Sequence, residues 1–405
     1  MDFIKKIHTA VATRNDPELS KLFFIKWSSF SPDHVEVSKS AKTLRAPSTL
    51  GSVWSEILNN YIVCLGELDL SNSNDSERNY LGACDAANNA LKILLNSKPE
   101  DFRLTVRALI SNAQTIAHKA KENPKSDDKD DALLKKIFDT IEPNLNSLLK
   151  NLGKVSNALD QLTLTLCNAL VTIASLLKKK AIVQSTLDVV EPYIESNRGK
   201  FPISDVVSFN YFKGKSDIIN ENEKFKCFKF AFDHCLKGSR NKRVILRSFV
   251  AMSIVSKKDV YPSTALLDKY ELTDAYSGII RSIKFGNPVL FDQELDRNVA
   301  IFSKWGHYFT IVKARFKLWR NVCRFAQNYL KCNKEPRLDV VRFCLLRDIV
   351  AITTKGQYVP CDDEIECIYA NAIAEKYLNA SIFINDKIKA LLLDIEDPFY
   401  LKKDN

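Results

Sequence analysis

Apolar residues recur every three or four positions along most of this chain, the spacing that sets one face of an α-helix against a core. Val53, Trp54, Ile57, Leu58, Tyr61 and Ile62 form one such stripe, and Phe225, Phe228, Phe232 and Leu236 predict another buried row. The pattern predicts two helices over 3–30, broken near Asn15-Asp16-Pro17. Further helices are expected from Val53 onward, up to Leu95, and over 101–121, 132–149, 155–176 and 183–194. The Ser- and Pro-rich stretch 31–52 reads as an irregular link, and the polar runs 71–77 and 122–130 read as exposed loops. Helix pairs joined by short loops, with no legible fixed-length repeat, predict a degenerate helical-repeat (TPR-like hairpin) stack.

From Phe201 the aromatic density rises, with Phe209, Tyr211, Phe212, Phe225, Phe228, Phe230 and Phe232 close together. Helices are expected over 244–254, 263–267 and 275–285, and Pro288 opens another that runs through Phe302. A long helix follows over 308–330, then two more over 338–348 and 361–377. Two β-prone runs, 382–384 and 388–392, flank Asn385-Asp386-Lys387 and predict a hairpin. Helices closed by that hairpin outline a winged helix. The chain therefore divides into N-terminal helical repeats (1–200), a second helical part (201–304), a winged-helix part (305–396) and a tail (397–405).

At 405 residues two or three packed units are expected. No run reaches the 18 or so apolar residues that cross a bilayer, and Met1-Asp2-Phe3-Ile4-Lys5-Lys6 lacks the apolar core of a signal peptide, so no membrane and no secretory route are expected. The ten cysteines contain no CxxC pair, and Cys64, Cys167, Cys323 and Cys344 sit in apolar settings that suit buried free thiols. Charge is uneven. Residues 301–350 hold 11 basic and 3 acidic side chains, whereas 361–405 hold 5 basic and 10 acidic ones. A surplus of that kind attracts phosphates or an acidic peptide.

Two basic groups carry that surplus. Gly238-Ser239-Arg240-Asn241-Lys242-Arg243 lies between apolar helical runs and predicts a basic turn with Arg240, Lys242 and Arg243 on one corner. Lys313, Lys317, Arg320 and Arg324 are spaced by four, three and four, so they share one helix face, expected to be a solvated stripe. Phe316 and Trp319 beside it suit either base stacking or the core. Catalytic patterns are missing: no HExxH, GxxxxGK[ST] or GxSxG occurs. His234 and Cys235 point about 100° apart on a helix and form no dyad. His307, between Trp305 and Tyr308, reads as a capping or packing residue, and Asp362, Asp363 and Glu364 read as helix N-terminal charges. No catalytic residue, metal or cofactor is expected.

The run 210–249, with Tyr211, Gly214, Phe225, Ala231, Phe232, Cys235 and Asn241-Lys242-Arg243-Val244-Ile245-Leu246, resembles the PCI-domain proteins. Leu266-Leu267-Asp268-Lys269-Tyr270, Gly286-Asn287, the segment 362–373, Tyr377-Leu378 and Asp397-Pro398-Phe399 extend the resemblance over about half the chain. It is nearest the branch of COP9 signalosome subunit 12 and the related TREX-2 mRNA-export subunit. Two departures are Arg247, where relatives often place an aromatic, and the linker 355–360. The resemblance implies stacked helices capped by a winged helix and a non-catalytic scaffold role. Its implied partners are another PCI-domain subunit, a small acidic subunit shared with the proteasome lid, and RNA or DNA in the assembled complex. Nucleus and cytoplasm are the implied location, with mRNA export or transcription as the alternative setting to the signalosome.

Overall fold

In the computed structural model the described residues are 2–400 except 28, 71–77, 98, 123–130, 152–155, 217, 257–259 and 386–387. Asp386 and Lys387 of the expected hairpin turn, the polar run 71–77 and most of 122–130 thus lie outside the described residues. The chain forms two compact units, Met1–Ile219 and Asn220–Asn405.

The first unit is helical. It begins with α1 (Asp2–Ala12), α2 (Asp16–Phe23), α3 (Pro32–Ser40), α4 (Ser52–Leu68) and α5 (Tyr80–Leu95). It continues with α6 (Arg103–Glu122), α7 (Ala132–Leu149), α8 (Asn157–Leu176), α9 (Lys180–Ser196) and α10 (Ile203–Lys215). Successive helices from α3 to α9 pack as neighbours, and α10 returns onto α8. Helix α3 corrects the expected irregular link. Ser31 caps it by accepting from His34 N at 3.2 Å and Pro32 occupies its first turn, so the residues that suggested a loop are the start signal of a helix. A second correction concerns α8. Its segment Ala158–Leu176 is long and apolar enough to cross a membrane, yet 72% of it is buried among its neighbours, as in the core helix of a helical stack.

Side chains distant in sequence tie this unit together. Asp16 accepts from Leu104 N at 2.7 Å and Thr105 N at 2.8 Å, capping the start of α6 from α2. Asp205, 1% exposed, takes Arg103 at 2.5 Å and Arg107 at 2.7 Å, joining α10 to α6.

The second unit opens with α11 (Glu221–His234), α12 (Arg240–Val255), α13 (Thr264–Lys269), α14 (Thr273–Phe285), α15 (Pro288–Arg297) and α16 (Val299–Trp305). The 25-residue α17 (Tyr308–Cys332) follows, then β1 (Val340–Arg342), α18 (Phe343–Thr353), α19 (Asp362–Ala374), β2 (Ala380–Ile384) and β3 (Lys389–Leu393). Helix α17 is the axis of this unit and packs on α12, α14, α15, α18 and α19. Every residue from Lys317 to Cys323 on it is buried, so for two turns it is enclosed all round.

The hairpin is present as β2 and β3, paired antiparallel with Ile382 opposite Leu391. The sequence pattern assigns 338–348 to helix, but Val340–Arg342 is strand β1, paired with β3 in the order β1-β3-β2. The two β-branched valines favour the strand, and Val341 turns inward opposite Leu391. Two further corrections follow from helix ends. Leu236 is 78% exposed because α11 stops at His234, and the helix from Pro288 breaks at Asn298 into α15 and α16.

Candidate partner and nucleic-acid interface

The expected basic turn is the first turn of a helix. Gly238, with φ +85°, lets the chain reverse, and Ser239 caps α12 by accepting from Asn241 N at 3.2 Å. Arg240, Lys242 and Arg243 therefore stand at a helix N-terminus, where the macrodipole opposes cations. Two of them are matched locally. Lys242 is buried, donates to Cys235 O at 2.9 Å and lies 4.8 Å from the centre of the Phe232 ring. Arg243 pairs with Glu271 at 2.8 Å. Arg240 is exposed, and among the described residues it forms no ion pair.

The four cations of α17 share a face, as their spacing requires, but the middle of that face looks inward. Lys313 at its start is exposed and pairs with Glu221 at 3.1 Å. Lys317 is fully buried and donates to Ser256 O at 2.8 Å and Ser253 O at 3.4 Å, so its ammonium caps the carbonyl end of α12. It also lies 4.3 Å from the centre of the Tyr261 ring. Arg320 is fully buried near Tyr377, whose phenol donates to Val255 O at 3.0 Å. Arg324 is half-buried over the Phe399 ring. The expected solvated stripe is thus corrected: Lys317 and Arg320 are core residues, and Lys317 closes the end of α12. Trp319 beside them is buried too, and its backbone carbonyl accepts from the Tyr369 phenol at 3.0 Å.

The remaining chemistry-bearing residues are also structural. His307 is buried between Ser248 Oγ at 3.2 Å and Tyr276 Oη at 3.3 Å. The Tyr276 hydroxyl hydrogen goes to Arg247 O at 3.1 Å, so His307 Nδ1–H donates to Tyr276 and Nε2 accepts from Ser248. Burial pushes the Tyr276 phenol well above its ordinary range. Arg247, the departure from the family pattern, lies 4.5 Å from the centre of the Trp305 ring and covers this knot.

The acidic residues at the start of α19 serve its N-terminus. Glu364 accepts from Cys361 N at 2.8 Å, while Asp362 pairs with Arg347 at 2.7 Å and Asp363 with Lys389 at 3.3 Å. Among the described residues no group of three His, Cys, Asp or Glu side chains could hold a metal. Burial raises the Cys167 thiol to about 12 and pushes up Cys323, and burial with the nearby Cys84 and Glu67 pushes up Cys64, which keeps them protonated. Cys344, expected among the buried thiols, is exposed at the start of α18.

Two concave features were not legible in the sequence. One, of about 500 Å³, is lined by Leu330, Val340, Leu345 and Ile388 together with Arg337 and Arg342. The other, of about 290 Å³, gathers Tyr261, Lys284, Asn321, Arg324, Phe325 and Asn328. In the second recess Asn321, Arg324, Phe325 and Asn328 share one face of α17, and only folding brings Tyr261 and Lys284 to them.

No family model matches the chain. It is 30% identical over 203 residues to the protein CSN12 homolog of Schizosaccharomyces pombe, an alignment covering 49% of this chain and 45% of that one. It is 28% identical over 211 residues to a PCI domain-containing protein 2 homolog of Dictyostelium discoideum, covering 51% of this chain and 45% of the relative. PCI domain-containing protein 2 of Danio rerio is 24% identical over 206 residues, with 50% and 48% covered. The chain thus spans about half the length of the curated relatives it matches.

Proposed function

From its kinship with the PCI-domain family and the CSN12 branch of that family, we propose that this chain is a non-catalytic scaffold subunit of a multi-subunit PCI complex. The observation that carries the reading is the similarity over half the chain to proteins from several organisms named for the PCI domain or for CSN12. The build of the second unit, helices around α17 ending in a three-stranded sheet, supports it. In this reading 1–200 is a TPR-like helical-repeat stack, 201–304 the helical part of the PCI domain and 305–396 its winged helix.

The complex is of the signalosome type, with the chain in the place of subunit 12, working in the nucleus and cytoplasm. Its partners are a second PCI-domain subunit and a small acidic subunit. Arg240, Arg243, Lys313 and Arg324, the cations of the two basic groups that keep exposed surface, form the side offered to the acidic partner. Affinity purification of the tagged chain from native extract, followed by mass spectrometry, tests this. Signalosome subunits are the expected companions. Recovery with an mRNA-export set would replace the complex and keep the scaffold role, and recovery as a lone monomer would overturn both.

A further inference from the structure

Strand β1 is an edge of the three-stranded sheet, with β3 on one side and no strand on the other. Leu393 N donates to Asp339 O at 2.7 Å, so the bonds of this ladder run through Asp339 with Leu393 and Val341 with Leu391. Val340 and Arg342, one residue out of that phase, turn their N–H and C=O groups away from β3. The Arg342 carbonyl is taken up as α18 begins at Phe343. Val340 keeps both a donor and an acceptor at the free edge, and among the described residues neither has a hydrogen-bond partner.

Side chains alternate along the same strand. Val341 is buried in the core, which sends Val340 and Arg342 to the other face, and both line the recess of about 500 Å³. Leu330 of α17, Leu345 of α18 and Ile388 just before β3 give that recess an apolar lining, and Arg337 joins them from the segment before β1. Arg337 and Arg342 are exposed, and among the described residues neither side chain forms an ion pair or hydrogen bond. An open strand edge, an apolar recess and two uncompensated guanidinium groups therefore meet at one place, in a volume within the range of ligand pockets.

We propose that this edge captures the free C-terminal end of an extended peptide whose last residue is apolar. That residue lies antiparallel to Val340. Its N–H donates to Val340 O, one carboxylate oxygen accepts from Val340 N–H, and its side chain enters the recess beside the Val340 side chain. The carboxylate also faces Arg337, whose planar fork matches it. The edge is only three residues long and runs straight into a helix, so it pairs with a chain end and not with the long edge of a second sheet. Glu335 on the recess wall disfavours a densely acidic segment, which leaves a single carboxylate with an apolar side chain as the complement. Such capture adds to the scaffold reading without resting on it.

Panning the full chain against random heptapeptides displayed with free C-termini tests it. Leucine, isoleucine, valine or phenylalanine is expected to be enriched at the last position. An enriched peptide, synthesised with a fluorescent label at its N-terminus, is then compared with its C-terminal amide by anisotropy. Amidation should weaken binding about tenfold or more, and so should Arg337→Gln, at an exposed side chain. Val340→Pro deletes an outward N–H that an edge strand does not need, and should weaken binding about fivefold. Parent hydrogen exchange in α18 and β3 shows that the sheet survives that change. Four results overturn the proposal: no enrichment of an apolar last residue, equal affinity for the amide, unchanged affinity in Arg337→Gln, or equal competition by an all-aspartate peptide of the same length. Panning uses the isolated chain, so its failure would leave the companions recovered from extract, and with them the scaffold role, untouched.

Discussion

Lys317 separates the two meanings of the basic face of α17. If the face were solvated, replacing this lysine would change charge and little else, within about 0.5 kcal/mol as for most surface substitutions. Buried as it is, Lys317 supplies bonds at 2.8 and 3.4 Å to the last carbonyls of α12. A hydrogen bond from a charged donor contributes about 1.5–3 kcal/mol, and a stranded buried carbonyl costs about 1–3 kcal/mol. These overlap, because they describe one loss. Removing the ammonium also relieves its own desolvation, which offsets part of that loss. Lys317→Met, similar in volume, should therefore destabilise the second unit by about 2 kcal/mol, roughly 30-fold in the local opening equilibrium. Lys317→Glu sets a carboxylate against carbonyl oxygens in the core and should cost at least about 3–5 kcal/mol, a large share of the stability of any domain.

Peptide-resolved hydrogen exchange on the full chain is the suitable assay, because two compact units need not unfold as one and a single global transition would blend them. Protection at the C-terminal turn of α12 should fall about 30-fold in Lys317→Met, while α6 in the first unit keeps its parent rate. A Lys317→Glu protein that retains parent protection in α12 would refute the reasoning and return Lys317 to the solvent. The outcome also decides how partner binding should be probed. Reversing Lys313, Lys317, Arg320 and Arg324 together confounds binding with folding, whereas Lys313→Glu alone touches only an exposed pair with Glu221.

The fold was largely legible where periodicity is strong and long. Helix α7 spans the expected 132–149, and α17 and the β2–β3 hairpin fall within a few residues of expectation. Failures cluster where one signal carries two meanings. Ser31-Pro32 punctuates a loop or starts a helix, and the choice was made by burial of Val37 and His34, which no local pattern encodes. Val340 and Val341 sit in a run that also suits a helix, and their strand exists only because β3, fifty residues later, supplies its hydrogen bonds. For the basic residues, spacing gave the shared face of α17 but not its direction. A charged face normally marks solvent. Here the carbonyl end of α12 and the Tyr261 ring replace water around one cation, a pairing between segments some sixty residues apart.

Three further outcomes follow from single sites. Gly286 ends α14 at φ +63°, and a Cβ there would lie 2.9 Å from Val322 Cγ2, so Gly286→Ala should cost about 1–2 kcal/mol in a thermal melt. Asp205→Ala strands two guanidinium groups. Because the Arg107 side chain is 47% exposed and rehydrates, the cost in urea unfolding of the first unit should lie near the low end of buried-pair losses, about 3 kcal/mol. His34 makes the first unit acid-sensitive. It is buried, its Nε2–H donates to Leu22 O at 2.7 Å, and Nδ1 is buried with no donor, so the fold accepts only the neutral ring. Burial lowers its pKa below the ordinary 6.5, outweighing the opposing pull of the Leu22 carbonyl and Asp33. Between the lowered folded value and 6.5 the unfolded chain binds the extra proton. Stability is therefore complete above about pH 6.5 and falls as pH drops through that window. His34→Gln keeps a neutral donor for Leu22 O, so subtracting its pH profile from the parent's should isolate this loss, and parallel profiles between pH 5 and 7 would show that the ring titrates alike in both states.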